Sequence, residues 1–484
     1  MHKGNFLEEY DVIVAGGGIA GSLAAAAAAE KGAKTLILDR NDYSVAGKKT
    51  NWGWVCGDAV AKSHLDFVEK EIGIKFGEPE LDLKVDGVYA FSPDLEHKFI
   101  FDGEGYSLDR PKLAKKLIDF ARKKGAEYVP RFEVEGPIIE ENKVTGIFGR
   151  DEKGQQARIK AKIVIDALGV ASMIRRKLPD NNMIEQNIST DDIESTGRYI
   201  FRFEAAKDDI RYYDPKNALI HLNQVLAPGG YGWVFPKRNG RMNVGVGVEK
   251  KSLEIRNAKL NKKDTLHSLI DGYVDWNPVI AKKELDPADN NGKGYWSVTV
   301  RRQFDSLVYP GYMGAGDSMA MPNPISAGGI GPAMVSGVLS GEVAGDAVAE
   351  KDISIDSLWR YNVRYNDLYG AKTAALEAFR VYLQSLNNDL INYGFAHFLT
   401  EKEAVDISYG RIPELTLASK FNKVLSGLAN INAFRNLLYT VSKMKKLNEH
   451  YRNYPKSTRE FSAWKEIAQK EMREVKERFK PNPV

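Results

Sequence analysis

Apolar and polar positions change period several times along this chain, and the changes mark its parts. Asp11-Val-Ile-Val-Ala15 is a short, β-branched apolar run with the make-up of a buried parallel strand. Three glycines and an alanine-rich helical stretch follow, and Lys34-Thr-Leu-Ile-Leu38 reads as a second strand that ends on Asp39. Residues 44–62 are glycine-rich and aperiodic, a loop running into a short helix through Ile72. Positions 81–106 alternate and carry aromatic runs, the pattern of a hairpin. Asp109-Arg110-Pro111 then opens an amphipathic helix over 112–124, with Asp109 suited to the N-cap and Pro111 to the first turn. Strands are expected at 128–129, 134–139, 144–148 and 159–165, the last running into Asp166-Ala-Leu-Gly169.

From about 180 to 305 the pattern becomes strands separated by long polar loops, with strands at 199–203, 219–222, 232–235 and 242–248. This predicts an antiparallel sheet inserted as a second domain. Residues 308–348 return to the first style, and from Ser357 onward the pattern is helical. The fold class expected is α/β with an α+β insert. Its units are a discontinuous dinucleotide-binding domain over 1–80, 105–178 and 306–350, a sheet domain over 81–104 and 179–305, and a helical region over 351–484.

Gly16, Gly18 and Gly21 stand in G-x-G-x-x-G spacing directly after the first strand, and Asp39 follows eighteen positions after the last of them. Each residue type has a job. Gly16 permits a sharp turn, Gly18 lets backbone N–H groups approach a pyrophosphate, and Gly21 lets the helix pack closely on the strand. The helix N-terminus faces the anion, and Asp39 accepts from a ribose hydroxyl while disfavouring a 2′-phosphate.

A second strand-end signature, Gly314-Ala-Gly316-Asp317, lies 300 residues downstream and precedes a prolyl loop and a glycine-rich helix start at Gly328-Gly329-Ile330. An NAD site needs only the first unit; the second one points to FAD, with Asp317 on a ribitol hydroxyl and Gly329 and Ile330 offering backbone N–H groups.

Totals narrow the field. The chain has 484 residues, 43% hydrophobic and 28% charged, which fits a folded protein of two or three packed units. A net charge of +4 does not call for nucleic acid. Cys56 is the single cysteine, which excludes an intrachain disulfide framework and any multi-cysteine zinc site and fits a reducing compartment. The seven histidines are scattered, so no metal site is expected. The start MHKGNFLEEY has no apolar core of a secretory signal, and no uninterrupted apolar span reaches the roughly 20 residues needed to cross a bilayer. A cytoplasmic protein is expected.

The GGGIAG start, Asp39, Cys56-Gly57-Asp58, Arg110 before a helix, Asp166-x-x-Gly169, Tyr231-Gly-Trp-Val-Phe-Pro236 and Gly316-Asp317 together resemble the geranylgeranyl reductase family, within it the archaeal digeranylgeranylglycerophospholipid reductases. That resemblance covers nearly the whole length. It implies a Rossmann-like FAD-binding domain of the flavin-hydroxylase type, and reduction of geranylgeranyl double bonds in membrane ether lipid precursors by hydride from FADH2. Carried over, FAD contacts fall at Ala20, Asp39, Cys56, Gly57, Ala59, Arg110, Val134, Asp317, Gly329 and Ile330, and Tyr231, Trp233, Phe235 and Pro236 match a motif bordering the substrate cavity. Trp52 and Trp54 are expected near the flavin.

Reducing an isolated alkene needs a proton to match the hydride, in a site that excludes water. The candidates are an ordered water at the flavin and the thiol of Cys56, which equally reads as a small buried side chain. No second G-x-G-x-x-G serves NADPH, so the donor is either transiently docked NAD(P)H or a small electron-transfer protein such as ferredoxin. Between Lys443 and Lys480 twelve basic residues face six acidic ones, and the amphipathic stretch from Phe461 to Phe479 reads either as a peripheral contact with an anionic lipid surface at the inner face of the membrane or as a solvated helix. An aromatic hydroxylase and a flavoprotein cyclase of the same fold remain open alternatives.

Overall fold

The computed structural model describes residues 9–48, 56–205, 213–285, 293–413 and 428–484. Trp52 and Trp54 lie outside them.

The chain begins with β1 (Glu9–Ala15), α1 (Ile19–Glu30) and β2 (Thr35–Asp39). β1 and β2 are buried almost throughout and pair in parallel, which suits their continuous apolar runs. β3 (Ala59–Ala61), α2 (Lys62–Ile72), β4 (Leu81–Phe91) and β5 (Lys98–Leu108) follow. Next is α3 (Arg110–Lys123), whose N-cap Asp109 accepts from the Lys112 N–H at 3.1 Å. β6 (Glu127–Pro130), β7 (Glu133–Glu140), β8 (Lys143–Arg150) and β9 (Gln156–Asp166) complete this stretch.

The inserted part contains β10 (Ile193–Ala205), β11 (Asn217–His221), β12 (Gly232–Lys237) and β13 (Arg241–Glu249). It continues through α4 (Lys250–Leu260), α5 (Leu266–Trp276), β14 (Ile280–Leu285) and β15 (Lys293–Thr299). Where the sequence pattern suggested loops, α4 and α5 are helices: Glu249 caps α4 and a Thr265/Ser268 capping box opens α5. The chain then returns with β16 (Val308–Tyr309), β17 (Tyr312–Gly314) and α6 (Ile330–Ala349).

Among the described residues these strands make two sheets. One runs β16-β17-β9-β1-β2-β6 with β7 and β8 attached through β9, and the central pairs are parallel. The other runs β14-β10-β13-β12-β11-β4-β5-β3 with β15 also on β10. It is antiparallel as expected except that β11 lies parallel to β4, where the insert rejoins a strand from the first part of the chain.

Helix α6 lies against α1 at backbone contact. A Cβ on Gly337 would come 2.4 Å from the Ala20 carbonyl oxygen, and one on Gly341 would come 2.1 Å from that of Ala24. The alanine run of α1 and the four-residue glycine spacing of α6 are two halves of one packing surface. It locks α6 onto the helix that follows the first strand-end turn.

The remaining described residues are mainly helical, as the pattern predicts: α7 (Ile355–Tyr365), a π-helical turn at Asn366–Gly370, α8 (Ala371–Leu383), α9 (Asn388–Tyr393), α10 (Glu401–Ser408), α11 (Leu428–Arg452) and α12 (Thr458–Arg478). Buried ion pairs tie it to the rest. Glu377 of α8 accepts from Arg302 at 2.7 Å, and Lys476 of α12 reaches Asp192 at 2.8 Å and Glu377 at 3.0 Å. The stretch 461–479 does not offer its apolar side to lipid. Phe461, Trp464, Ala468, Met472, Val475 and Phe479 are all buried in the core, leaving Ile467, 53% exposed, as the large apolar side chain outside. No helix among the described residues is long and apolar enough to cross a membrane.

Candidate functional site

The first signature folds as its spacing predicts. Gly16 adopts φ +101°, and a Cβ there would sit 2.4 Å from the Ala167 carbonyl oxygen; a Cβ on Gly21 would sit 1.8 Å from the Gly16 carbonyl oxygen. Neither position admits a side chain. Gly18, the N-cap of α1, has nothing within 4 Å of where a Cβ would be and no capping side chain, so the helix N-terminus faces open space. Asp39 accepts from the Gly17 N–H at 2.6 Å and the Asn41 N–H at 2.7 Å, and burial pushes its carboxyl up. The Phe132 N–H binds the Asp39 carbonyl at 2.9 Å, which brings the start of β7, with Val134, alongside the tip of β2.

The second signature closes the other end. Gly316, at φ +67°, donates its N–H to Ser336 Oγ of α6 at 3.0 Å, and its Cβ position is 3.1 Å from that of Ala20. Asp317 is half-buried, its carboxyl raised to about 6 by desolvation against the partial relief of Arg110. Its Oδ1 lies 3.3 Å from the Cβ position of Gly329, next to Ile330 at the start of α6. Asp166 holds this turn in place: it accepts from Tyr312 Oη at 3.0 Å, and its carbonyl binds the Ala315 N–H at 2.9 Å and Ser318 Oγ at 2.7 Å.

Cys56-Gly57-Asp58-Ala59 joins the two sheets. A Cβ on Gly57 would come 2.6 Å from the Phe235 ring, so β12 lies directly on this stretch. Asp58 is buried at φ +61°. Its Oδ2 accepts from Asn243 Nδ2 at 3.1 Å and Lys237 Nζ at 3.4 Å, while its Oδ1 has no hydrogen-bond partner among the described residues, with Arg110 Nη1 4.0 Å away. Desolvation raises the Cys56 thiol, with the nearby Arg110 guanidinium opposing, so the sulfur keeps its proton at neutral pH.

The register of the second sheet decides which side chains face this stretch. Thr196 pairs with Gly247, Arg198 with Gly245 and Ile200 with Asn243, and β13 in turn sets Trp233 opposite Gly245 and Phe235 opposite Asn243. Side chains alternate across a strand, so Val244, Val246, Val248 and Val234 go to the other face, where they form a core with Ile270 and Tyr273 of α5. The near face carries Tyr231, Trp233 and Phe235 in a row, with ring centroids 6.0 and 6.2 Å apart, over the glycines of β13. Trp233 Nε1 donates to Asn243 Oδ1 at 3.0 Å, and Asn243 donates to the Cys56 carbonyl at 2.7 Å. Tyr231 Oη donates to the Ser326 carbonyl of the loop before α6. Pro236 does not join the row: it lies buried opposite Met242 and alternates with Val234 to the other face.

Pairwise approaches bring the predicted residues together: Gly16 with Gly21, Asp39 with Gly17 and the strand of Val134, Ala20 with Gly316, Asp317 with Gly329 beside Ile330, Arg110 with Asp58, and Gly57, between Cys56 and Ala59, with Phe235. Sequence reasoning missed Asn243 and Lys237. The trace of Asn243 is a lone amide inside the run Met242-Asn-Val-Gly-Val-Gly-Val248. It also missed Glu194, buried on the same face, whose Oε2 has no hydrogen-bond partner among the described residues and whose carboxyl desolvation raises to about 8.

These residues fit FAD. The space before Gly18 suits a pyrophosphate, Asp39 and Asp317 stand where ribose and ribitol hydroxyls would be bound, and the orphaned acceptor of Asp58 lies beside Arg110 in the middle. No His, Cys, Asp and Glu group among the described residues is arranged to hold a metal ion.

Known proteins agree with this geometry. Residues 11–177 match the FAD dependent oxidoreductase family, and residues 192–280 match the geranylgeranyl reductase catalytic domain. The chain is 32% identical to the digeranylgeranylglycerophospholipid reductase of Sulfolobus acidocaldarius, covering 94% of this chain and 96% of that one. Digeranylgeranylglycerophospholipid reductase 1 of Methanopyrus kandleri is also 32% identical, over 74% of this chain and 86% of its own. Among solved structures, a geranylgeranyl bacteriochlorophyll reductase-like protein from Thermoplasma acidophilum superposes with a TM-score of 0.70 at 26% identity, covering 91% of this chain and 99% of that one. A myxobacterial chondrochloren halogenase, at 17% identity and TM-score 0.64, shares the fold. Built around a two-signature FAD cradle and matched to such relatives over nearly its full length, the chain belongs to the geranylgeranyl reductase family.

Proposed function

We infer that the protein is an FAD-dependent reductase that saturates the double bonds of geranylgeranyl chains in archaeal-type ether lipid precursors. The observation that carries this is the placement of a continuous aromatic face, Tyr231, Trp233 and Phe235, directly on the Cys56-Gly57 stretch beside the cofactor cradle. An isolated alkene offers no polar handle, so it is positioned by apolar contact, and such a face supplies that contact.

FAD, when bound and reduced, supplies the hydride. The chain supplies the rest. Gly16 to Gly21, Asp39, Arg110, Asp317 and the start of α6 hold the cofactor, the aromatic row orients the isoprenoid and keeps water out, and Cys56 Sγ holds a proton that the second alkene carbon can take. The electron donor is NAD(P)H or a small electron-transfer protein such as ferredoxin. The lipid substrate favours work at the inner membrane surface; because the apolar side of 461–479 is spent on the core, a contact through that segment would use its basic outer face.

The test is anaerobic. Dithionite-reduced protein is given digeranylgeranylglyceryl phospholipid, and the lipid should gain one H2 per reduced double bond. Bound flavin with unchanged lipid mass would remove the reductase reading.

A further inference from the structure

A cavity of about 160 Å³ lies where α2, the first turn of α6 and the start of α8 meet, lined among others by His64, Asn323, Ser326, Tyr369, Lys372 and Thr373. It is well below the roughly 300–1,000 Å³ of pockets that take whole small molecules, so it fits a group rather than a chain. Its charge is one-sided. Among the described residues no acidic side chain lines it, and the basic ones Lys372 and His64 do.

Lys372 makes no ion pair with any carboxylate among the described residues. Its stem packs on Gly410, whose Cβ would lie 3.0 Å from Lys372 Cα, and its ammonium stands 5.6 Å from the Tyr409 ring centroid. Burial alone drives its basicity down. His64 packs against Gly331, where a Cβ would come 2.5 Å from the imidazole, and stacks on Tyr369 at 6.5 Å with an interplanar angle of 9°. Its Nδ1 is fully buried without a hydrogen-bond partner among the described residues, and desolvation together with the Lys372 charge, opposed by the Ala61 backbone, lowers the imidazole to about 4. A desolvated ammonium beside an imidazole whose protonation it disfavours is a costly arrangement unless an anion enters between them. The adjacent turn of α6 adds backbone N–H groups and carries no acidic residue.

We propose that this cavity is an oxyanion subsite formed by Lys372 and His64, and that it takes the phosphate of the lipid substrate's glycerophosphate headgroup. The headgroup assignment rests on the reading of the substrate given above. The cavity wall shares Ala59 and Ile330 with the cofactor cradle, so a phosphate held here anchors the lipid beside the cradle while its chains run to the aromatic row.

The test uses the FAD-loaded protein and its K372M and K372R variants, with two readouts. Inorganic phosphate titrated into wild type, followed by phosphorus NMR linewidth, should show saturable binding that K372M loses and K372R keeps. In turnover, the ratio of kcat/KM for the phospholipid to that for the dephosphorylated diether alcohol should fall about tenfold or more in K372M, the scale of one charge-assisted hydrogen bond. Flavin content should stay at the wild-type level. Equal losses on both lipids, or loss of flavin, would overturn the subsite. Phosphate binding with an unchanged ratio would assign the cavity to a free anion and overturn the headgroup. If wild type reduces neither lipid, the substrate reading falls, and the phosphate titration still decides the site.

Discussion

The cofactor cradle and the aromatic face are both walls of one site, yet they are built on opposite principles. The cradle is made of backbone. Its shape comes from Gly16, Gly21, Gly316 and Gly337, where a Cβ would strike a carbonyl or a neighbouring side chain, and Asp39, Arg110, Asp58 and Asp317 are among the charged groups set along it. The face is made of side chains. Trp233 stands where it does because Asn243, ten residues on and one strand over, ties its indole to the Cys56 carbonyl. Backbone shape is local and tolerates no substitution; a side-chain face is assembled over long range and can be weakened by degrees.

The largest expected effect breaks the cradle. Gly21→Val places branched carbon where a single Cβ already meets the Gly16 carbonyl oxygen at 1.8 Å, so α1 cannot close on β1. Purified G21V should carry no flavin by its visible spectrum and show a broadened or missing thermal transition. Full flavin occupancy would show that the turn is not held as described.

An intermediate effect separates the face from the cradle. Asn243→Ala leaves Trp233 Nε1, the Cys56 carbonyl and one Asp58 contact without the amide, each a buried polar group costing about 1–3 kcal/mol when unpaired. The expected outcome is retained flavin with kcat/KM on the lipid down about tenfold to hundredfold. If flavin is lost in parallel, the two walls are one unit and the contrast fails.

The smallest effect is a pH dependence. The folded state raises the Glu194 carboxyl from its ordinary 4.5 to about 8, and Asp317 from 3.8 to about 6. Both groups therefore bind more protons folded than unfolded between those limits. Stability they contribute is full below pH 4 and is lost as pH rises, through 6 for Asp317 and through 8 for Glu194. The apoprotein should lose Tm from pH 6 to 8, and Glu194→Gln should flatten that slope. An unchanged slope would mean that Glu194 is already ionised in the fold.

The same contrast explains what can be read from the sequence. Glycine spacing and strand-end acids are local, so the FAD cradle, its strands and the capped start of α3 are legible in the order of residues alone. The aromatic motif is visible as a motif, but the faces of β10 and β13 depend on register, which pairs Arg198 with Gly245 across 47 positions. Nothing local to Asn243 or Lys237 announces Asp58 as their partner. Helices α4 and α5 hide behind a polar surface, their caps at Glu249 and Thr265 being the overlooked signal. The segment 461–479 reads as a free amphipathic helix because its partners, α8 and α11, are supplied by tertiary packing.

The central claim is that a flavin held by the backbone cradle delivers its hydride to a chain held on the aromatic face. The most direct measurement is a single turnover without oxygen: wild type and N243A are reduced by one equivalent of dithionite, mixed with digeranylgeranylglyceryl phospholipid, and flavin absorbance and lipid mass are followed together. The account predicts flavin reoxidation in step with lipid saturation in wild type, and slower reoxidation at equal flavin content in N243A. Reduced flavin that is indifferent to the lipid in wild type, or equal rates in both proteins, would contradict it.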